Sequence, residues 1–208
     1  QRDNKMSHEI FNLFPTPVMR GLIERRLTNN EVGFLLKQKD FLIKNTGNHY
    51  SKCSYLLDEP ELKDLKDDIL HHAQNYFNEI LSVPKSVKPK ITQSWLNITK
   101  KSEYHHPHRH PNSYISGVYY LTTSDEDSIT FFDDNYKQIE IIAEKETIYN
   151  VDKLKFKVKF GEILLFPSTL QHMVTTKPDE SERISLAFNI VPSGNIGSRD
   201  DLNEWKLV

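Results

Sequence analysis

The chain of 208 residues has a single cysteine, Cys53. That excludes an internal disulfide framework and fits a reducing compartment. It has no charge excess: 27 Lys and Arg against 29 Asp and Glu leave a formal net charge of −2. A near-neutral chain has no electrostatic footprint for nucleic acid or for an anionic membrane. No apolar run approaches the roughly 20 residues that span a bilayer. The N-terminus is polar, and the apolar stretch 11–19 is short and broken by Pro15 and Pro17, so no signal peptide is read there. Internal repeats and low-complexity tracts are missing too. These absences point to one cytoplasmic domain, long enough for a full core, with no membrane partner. Gln1–Lys5, before Met6, are set aside from the fold reading. The domain is taken as 6–208: an N-terminal strand and helical brace over 6–89, a β core over 90–191, and a tail over 192–208.

Along the chain, Pro15 and Pro17 lead into an expected edge strand over Val18–Ile23, because proline lacks a ladder donor and an edge tolerates it. Thr28 with Glu31 three residues later is a capping box, opening a helix with apolar Val32, Leu35 and Leu36. Asp58 with Glu61 predicts the cap of a second helix. Its stripe is Leu62, Leu65, Ile69, Ala73, Tyr76 and Ile80, ended by Pro84. After Pro89 the texture changes to strands and turns: 91–99, 114–122, 128–132, 138–143, 146–151, 155–160, 163–166, 172–176 and 183–191. About nine short strands at this spacing predict a mainly β fold, a sandwich or jelly roll. The lysines that alternate with apolar residues over 151–159 read as a solvated strand face.

What the chain has in abundance is histidine in one place. His105, His106, His108 and His110 fall within six positions, with Pro107 and Pro111 fixing φ around them. Neutral imidazole is a common ligand for divalent iron, zinc, copper and nickel. Two histidines at i and i+2 on extended chain turn to one point, which leaves two candidate pairs, His106/His108 and His108/His110. His172 begins a later strand, after the buried run Ile163–Phe166 and the tight turn that Gly161 allows. On the last strand Arg183, Ser185, Ala187 and Asn189 alternate with Ile184, Leu186, Phe188 and Ile190. One face is packed, and the other carries a guanidinium, whose planar fork suits a carboxylate.

These stretches resemble the iron(II)- and 2-oxoglutarate-dependent oxygenases. The resemblance rests on three motifs in order: LFPTPV over 13–18, HRHPNSYISGVYYL over 108–121, and the run from Phe166 to Asn189 that holds His172 and Arg183. It implies a double-stranded β-helix, a jelly roll, braced here by the two N-terminal helices. It also implies Fe(II) with 2-oxoglutarate as co-substrate, O2, and a hydroxylase reaction on a substrate the sequence does not name. Carried over residue by residue, His108 is the first ligand, His172 the distal ligand, and Arg183 with Ser185 holds the co-substrate. Asn97 and Tyr120 are further candidates for 2-oxoglutarate contact. The departure is His110, which stands where most of the family has Asp or Glu and leaves the metal site one negative charge short. Asp133 and Asp134 are carboxylates within possible reach, and Glu103 and Tyr104 are candidates for the entrance. Two rivals stay open: a cupin-type metalloenzyme that does not use 2-oxoglutarate, and a non-catalytic jelly-roll binding module. A homodimer is left open.

Overall fold

The computed structural model describes residues 8–133, 139 and 141–207. In chain order the elements are β1 (Met19–Leu22), α1 (Asn29–Lys37), β2 (Leu42–Lys44), β3 (His49–Ser51), α2 (Lys63–Asn75), β4 (Lys88–Thr99), β5 (His105–His108), β6 (Ile115–Thr122), β7 (Ser128–Phe132), β8 (Lys153–Lys157), β9 (Glu162–Pro167), β10 (His172–Val174), β11 (Arg183–Ile196) and β12 (Trp205–Leu207).

The strands form two sheets. The larger runs β1-β9-β6-β11-β4-β3-β2, with β12 folded back onto β11; the smaller runs β5-β10-β7-β8. Two apolar clusters cover the two faces of the large sheet. On one face α2 presents Leu65, Ile69 and Ala73, with Leu62 just before its start and Tyr76 and Phe77 beyond its end, to Leu96, Ile98, Leu186, Phe188 and Ile190. On the other, Val118, Tyr120, Leu164 and Phe166 meet Ile129 and Phe131 of the small sheet. A strand covered on both faces carries no polar face, which is why Ile163–Phe166 reads as one continuous apolar run.

The edge strand follows expectation: β1 pairs only with β9, outside the last ladder of the large sheet. So does the capping box. The Thr28 hydroxyl accepts from the Glu31 amide at 3.2 Å, and the Glu31 carboxylate accepts from the Thr28 amide at 2.7 Å. The same carboxylate, almost fully buried, is neutralised by the Arg25 fork at 2.6 and 2.9 Å. Other expectations need correction. In α1 only Leu35 of the apolar trio is buried; Val32 and Leu36 are exposed, because the helix rests on the fold by a narrow stripe. Asp58 caps nothing: it closes a short 3-10 turn, and α2 starts at Lys63 with no side-chain cap. Proline at 60 bends the chain into a second such turn first. Ile80 is exposed as the last residue of a π-helical turn at Tyr76–Ile80. Both helices follow β1, within the first 80 residues.

Residues 146–151 form turns instead of a strand, held by Asn150 side-chain bonds to Thr147 and Lys145. The strand expected over 138–143 falls partly outside the described residues, and its described part joins no sheet. The tail is partly structured. β11 runs on to Ile196, and β12 pairs with its end at Gly194–Ile196. Behind the site, Lys177 is buried with its ammonium 3.2 Å from Asp127 and 3.1 Å from Asp179. That ion pair ties the turn after β6 to the connection between β10 and β11.

Candidate active site

The site lies between the two sheets. Its cavity is lined from the large sheet by Trp95, Asn97, Val118, Tyr120, Phe166, Arg183, Ser185 and Ala187, and from the opposite side by His105, His108, His110 and His172.

Strand pairing places these side chains in rows. β11 lies between β4 and β6, and Ser185 is opposite Asn97 on one side and Tyr120 on the other. Two residues along, Ala187 is opposite Trp95 and Val118; two further, Asn189 is opposite Gln93 and Ser116. In the other direction Arg183 is opposite Thr99. Period-two alternation keeps all of these on one face. The floor therefore reads cation and hydroxyl, then amide, hydroxyl and phenol, then an apolar row, then a second amide row. The glycine of SGVYY belongs to the other face: a Cβ at Gly117 would lie 2.3 Å from the Phe188 ring, so this residue makes room for the core.

The histidines come from the small sheet and the chain just past it. His172 on β10 is the cross-strand partner of His108 on β5, and Phe131 on β7 is its partner on the other side. The register then shifts, so that Val174 is opposite His105. Two residues of β10 thus span three of β5. This bulge re-aims the side chains, and it brings His105 to the cavity side with His108. β5 is an edge strand, which is why Pro107 is tolerated within it. His110 lies two residues beyond His108 and stacks on Trp95, ring centroids 5.7 Å apart.

One ring nitrogen from each of His108, His110 and His172 lies within 4.8 Å of the other two. Hydrogen bonds decide which nitrogen. The Nδ1 of His108 is 2.8 Å from the His106 carbonyl, that of His172 is 3.0 Å from the Leu170 carbonyl, and that of His110 is 2.8 Å from Asn189 Oδ1. Each of these oxygens only accepts, so each Nδ1 carries the proton and each Nε2 keeps its lone pair. Asn189 is held in turn by the Ser116 hydroxyl, which donates to the same oxygen at 2.9 Å. The Nε2 of His110 is buried without a hydrogen-bond partner, as an atom awaiting a ligand would be. Burial, with their mutual repulsion, pushes His108 down to about 4 and His172 to about 3, and it lowers His110 as well. All three rings are neutral near pH 7, the form that binds a metal.

A second set, His105, His106 and His108, also converges within 4.8 Å. In it, however, the His105 Nε2 is 3.3 Å from the Asn45 amide nitrogen, whose N–H groups can only donate. That lone pair is engaged, so His108/His110 with His172 is the better donor set. Asp133 is exposed and bonds Asp152 through its backbone, and Asp134 lies outside the described residues. Neither Asp133, Glu103 nor Tyr104 lines the cavity.

At the other end Arg183 is 3% exposed. It donates to the Thr99 hydroxyl at 3.0 Å through Nη2, while its Nε has no partner. The Asn97 Oδ1 is likewise buried and unpartnered. Burial lowers the Arg183 pKa and raises that of Tyr120, but the guanidinium stays charged and the phenol stays protonated. Such unmet buried groups are uncommon; of the seven among the described residues, three, on His110, Asn97 and Arg183, belong to side chains lining this one cavity. Sequence reasoning missed Asn189 as a partner of His110, Trp95 as its stacking platform, and His105. The alternation over 183–189 was the available signal for Asn189; His105 was visible only as a member of the histidine cluster, with nothing to say that it faces the cavity, and nothing local marks Trp95.

Residues 93–189, just under half of the chain, match the sequence model of the family described as "Putative 2OG-Fe(II) oxygenase". No curated protein matches the sequence. Among solved structures, HygX from Streptomyces hygroscopicus with nickel and 2-oxoglutarate bound is similar at a TM-score of 0.57 and 13% identity, covering 93% of this chain and 92% of HygX. HygX has also been solved with iron bound. The non-heme alpha-ketoglutarate-dependent epimerase SnoN from nogalamycin biosynthesis aligns at 0.57 and 9% identity, over 85% of this chain and 78% of SnoN. A Pseudomonas putida prolyl-4-hydroxylase aligns at 0.53 and 13% identity, over 84% of this chain and 92% of the hydroxylase. By fold, then, this chain is a jelly roll of the 2OG-Fe(II) oxygenase type, and its stretch from Gln93 to Asn189 carries the family's sequence pattern.

Proposed function

We propose that the protein is an Fe(II)- and 2-oxoglutarate-dependent oxygenase, a hydroxylase, with His108, His110 and His172 as the metal ligands. The carrying observation is that three free Nε2 lone pairs and a buried, under-partnered guanidinium share one cavity. The donor set suits a divalent first-row metal with open positions, unlike the closed four-ligand sets of structural zinc. When bound, iron would supply oxygen activation coupled to decarboxylation of the keto acid. The rest falls to this chain's residues.

Arg183, with Ser185, Asn97 and Tyr120 beside it, would take the far carboxylate of 2-oxoglutarate. The apolar row of Trp95, Ala187 and Val118 would lie along its methylenes, and the histidine end would receive the keto acid. Polar ends with an apolar middle match a short dicarboxylate. Phe131, Phe166 and Ile129 keep the walls dry, which strengthens every charge interaction inside. A cupin-type enzyme or a plain binding module needs the histidines but has no use for the buried fork.

The test is 2-oxoglutarate affinity by anaerobic calorimetry on the iron-loaded protein. Arg183→Ala should weaken it ten- to a hundredfold, since charge-assisted hydrogen bonds contribute roughly 1.5–3 kcal/mol. Metal binding should survive, and Arg183→Lys should rescue only in part, lacking the planar fork. Equal affinities in all three proteins would make Arg183 structural and remove the co-substrate from the reading.

A further inference from the structure

Of the four histidines that line the cavity, His105 alone lies outside the proposed ligand set. Its place along the cavity follows from the chain connections at one end of the two sheets. β4 ends at Thr99 and β5 begins at His105; β10 ends at Val174 and β11 begins at Arg183. Thr99 is the cross-strand partner of Arg183, and Val174 that of His105. The two connections are laced together: the Ser102 amide donates to the Lys177 carbonyl at 2.9 Å, and the Lys177 amide to the Glu103 carbonyl at 2.8 Å. His105 therefore stands over the Arg183 end of the floor. His110, bonded to Asn189 and stacked on Trp95, stands over the opposite end. Burial, then the neighbouring histidines and the Arg183 charge, hold His105 neutral.

The ring is also fixed in its tautomer. Asn45, in the turn between β2 and β3, has its amide nitrogen 3.3 Å from His105 Nε2 and donates from the same nitrogen to Asn48 Oδ1 at 3.0 Å. A neutral imidazole that accepts at Nε2 carries its proton on Nδ1. Among the described residues no group of the protein accepts that proton. The ring lies against His108, with centroids 4.2 Å apart and planes inclined by 25°. Facing it across the cavity are the Arg183 guanidinium, the Ser185 hydroxyl and the Tyr120 phenol, all on the large sheet. A carboxylate seated on those donors still has lone pairs turned towards the small sheet.

We infer that His105 closes the co-substrate seat from the side opposite Arg183, its Nδ1–H donating to the far carboxylate of 2-oxoglutarate. This rests on the oxygenase reading above. It gives the seat a donor from each sheet, and it makes His105 a residue that selects among keto acids: one without a carboxylate at that distance gains nothing from it.

The experiment uses the cobalt(II)-loaded protein under anaerobic conditions, with the shift of the visible cobalt bands reporting keto-acid binding. 2-Oxoglutarate is compared with 2-oxopentanoate, the same chain with a methyl group in place of the far carboxylate. His105→Phe keeps a flat ring against His108 and removes the donor. It should lose about tenfold in affinity for 2-oxoglutarate, the scale of a hydrogen bond to a charged group, and nothing for 2-oxopentanoate. His105→Gln, whose amide can donate, should recover part of the loss. An equal loss for both acids makes His105 a packing residue and overturns the inference, as does no loss for either; both outcomes leave the oxygenase reading intact. Failure of 2-oxoglutarate to bind the wild type sinks the oxygenase reading, and this inference with it.

A second measurement needs no variant. In the zinc-loaded protein with isotope-labelled imidazoles, nitrogen NMR should show His105 as the Nδ1–H tautomer. Adding 2-oxoglutarate should slow the exchange of that proton with water many times over. An Nε2–H tautomer, or a proton whose exchange 2-oxoglutarate leaves unchanged, overturns the proposal even if His105→Phe does not fold.

Discussion

At the scale of single residues, the contact between His110 and Asn189 does most to define the site. Without an acceptor at 189, the His110 ring is free to rotate or to change tautomer, and its Nε2 is no longer presented to the other two histidines. Partners that orient metal-bound histidines typically contribute ten- to a hundredfold to metal affinity. Asn189→Leu is therefore expected to weaken cobalt or iron binding by about that factor, as read by competition with a chelating dye. Asn189→Asp, which keeps an acceptor, should hold the metal at least as well as the wild type. Equal affinity in the leucine variant would mean that stacking on Trp95 alone orients the ring. Much of this was legible in the sequence. The HxH pair, His172 and the Arg183 alternation all come to one cavity. What the local pattern could not supply was the choice between His106 and His110, because it turns on side chains distant in sequence: Asn45, which engages His105 Nε2, and Asn189, which orients His110. His105 was equally hidden, since a bulge, not an alternation, aims it inward.

The elements show where local signals suffice and where they fail. The capping box of α1 and the buried run of β9 are local facts, and both are found as read. The short strands β2, β3 and β12 were missed because they owe their form to pairing with distant neighbours, not to composition. The same holds for β5, whose HHPH sequence has little strand propensity and is extended only through its ladder with β10. In the reverse direction, 146–151 has strand-like apolar residues but no partner, so it turns. Packing is close where β6 pairs with β11. A methyl at 117 would enter the Phe188 ring, and Leu165 is 2.7 Å away on the other side. Gly117→Ala is expected to cost about 1–3 kcal/mol through overpacking, visible as a lowered midpoint in urea. An unchanged midpoint would show that the ring moves aside freely.

Across the whole molecule, the buried imidazoles tie stability to acidity. In the unfolded chain each takes up a proton below about pH 6.5. In the fold His108 resists to about 4, His172 to about 3 and His105 to about 2. A lowered folded pKa means that the unfolded state binds more protons in this window, so stability falls as pH falls. Glu31, lowered mainly by its bonds to Arg25 and Thr28 against an opposing burial effect, acts in the same direction at the acidic end. The metal-free protein should thus be fully stable above about pH 6.5 and lose thermal midpoint steadily from there towards pH 4. A flat midpoint over that range would mean that the histidines are solvated in solution.

The two ends of the site are anchored very differently. Arg183, Ser185 and Asn189 stand on β11, a 14-residue strand laddered on both sides. His105 and His108 stand on a four-residue rim strand with one partner, a proline and a bulge. The chain thus joins a rigid anvil to a loose clasp. Local opening should reach β5 at a small fraction of the global unfolding free energy, while β11 opens only with the whole fold. A metal ion would therefore have a way in that does not disturb the proposed seat of the co-substrate on β11. Once bound, the ion should staple the clasp shut. By amide hydrogen exchange, the metal-free protein should exchange at β5 many times faster than at β11. Adding cobalt should slow β5 and β10 selectively, and uniform slowing of the whole chain would contradict this division of labour.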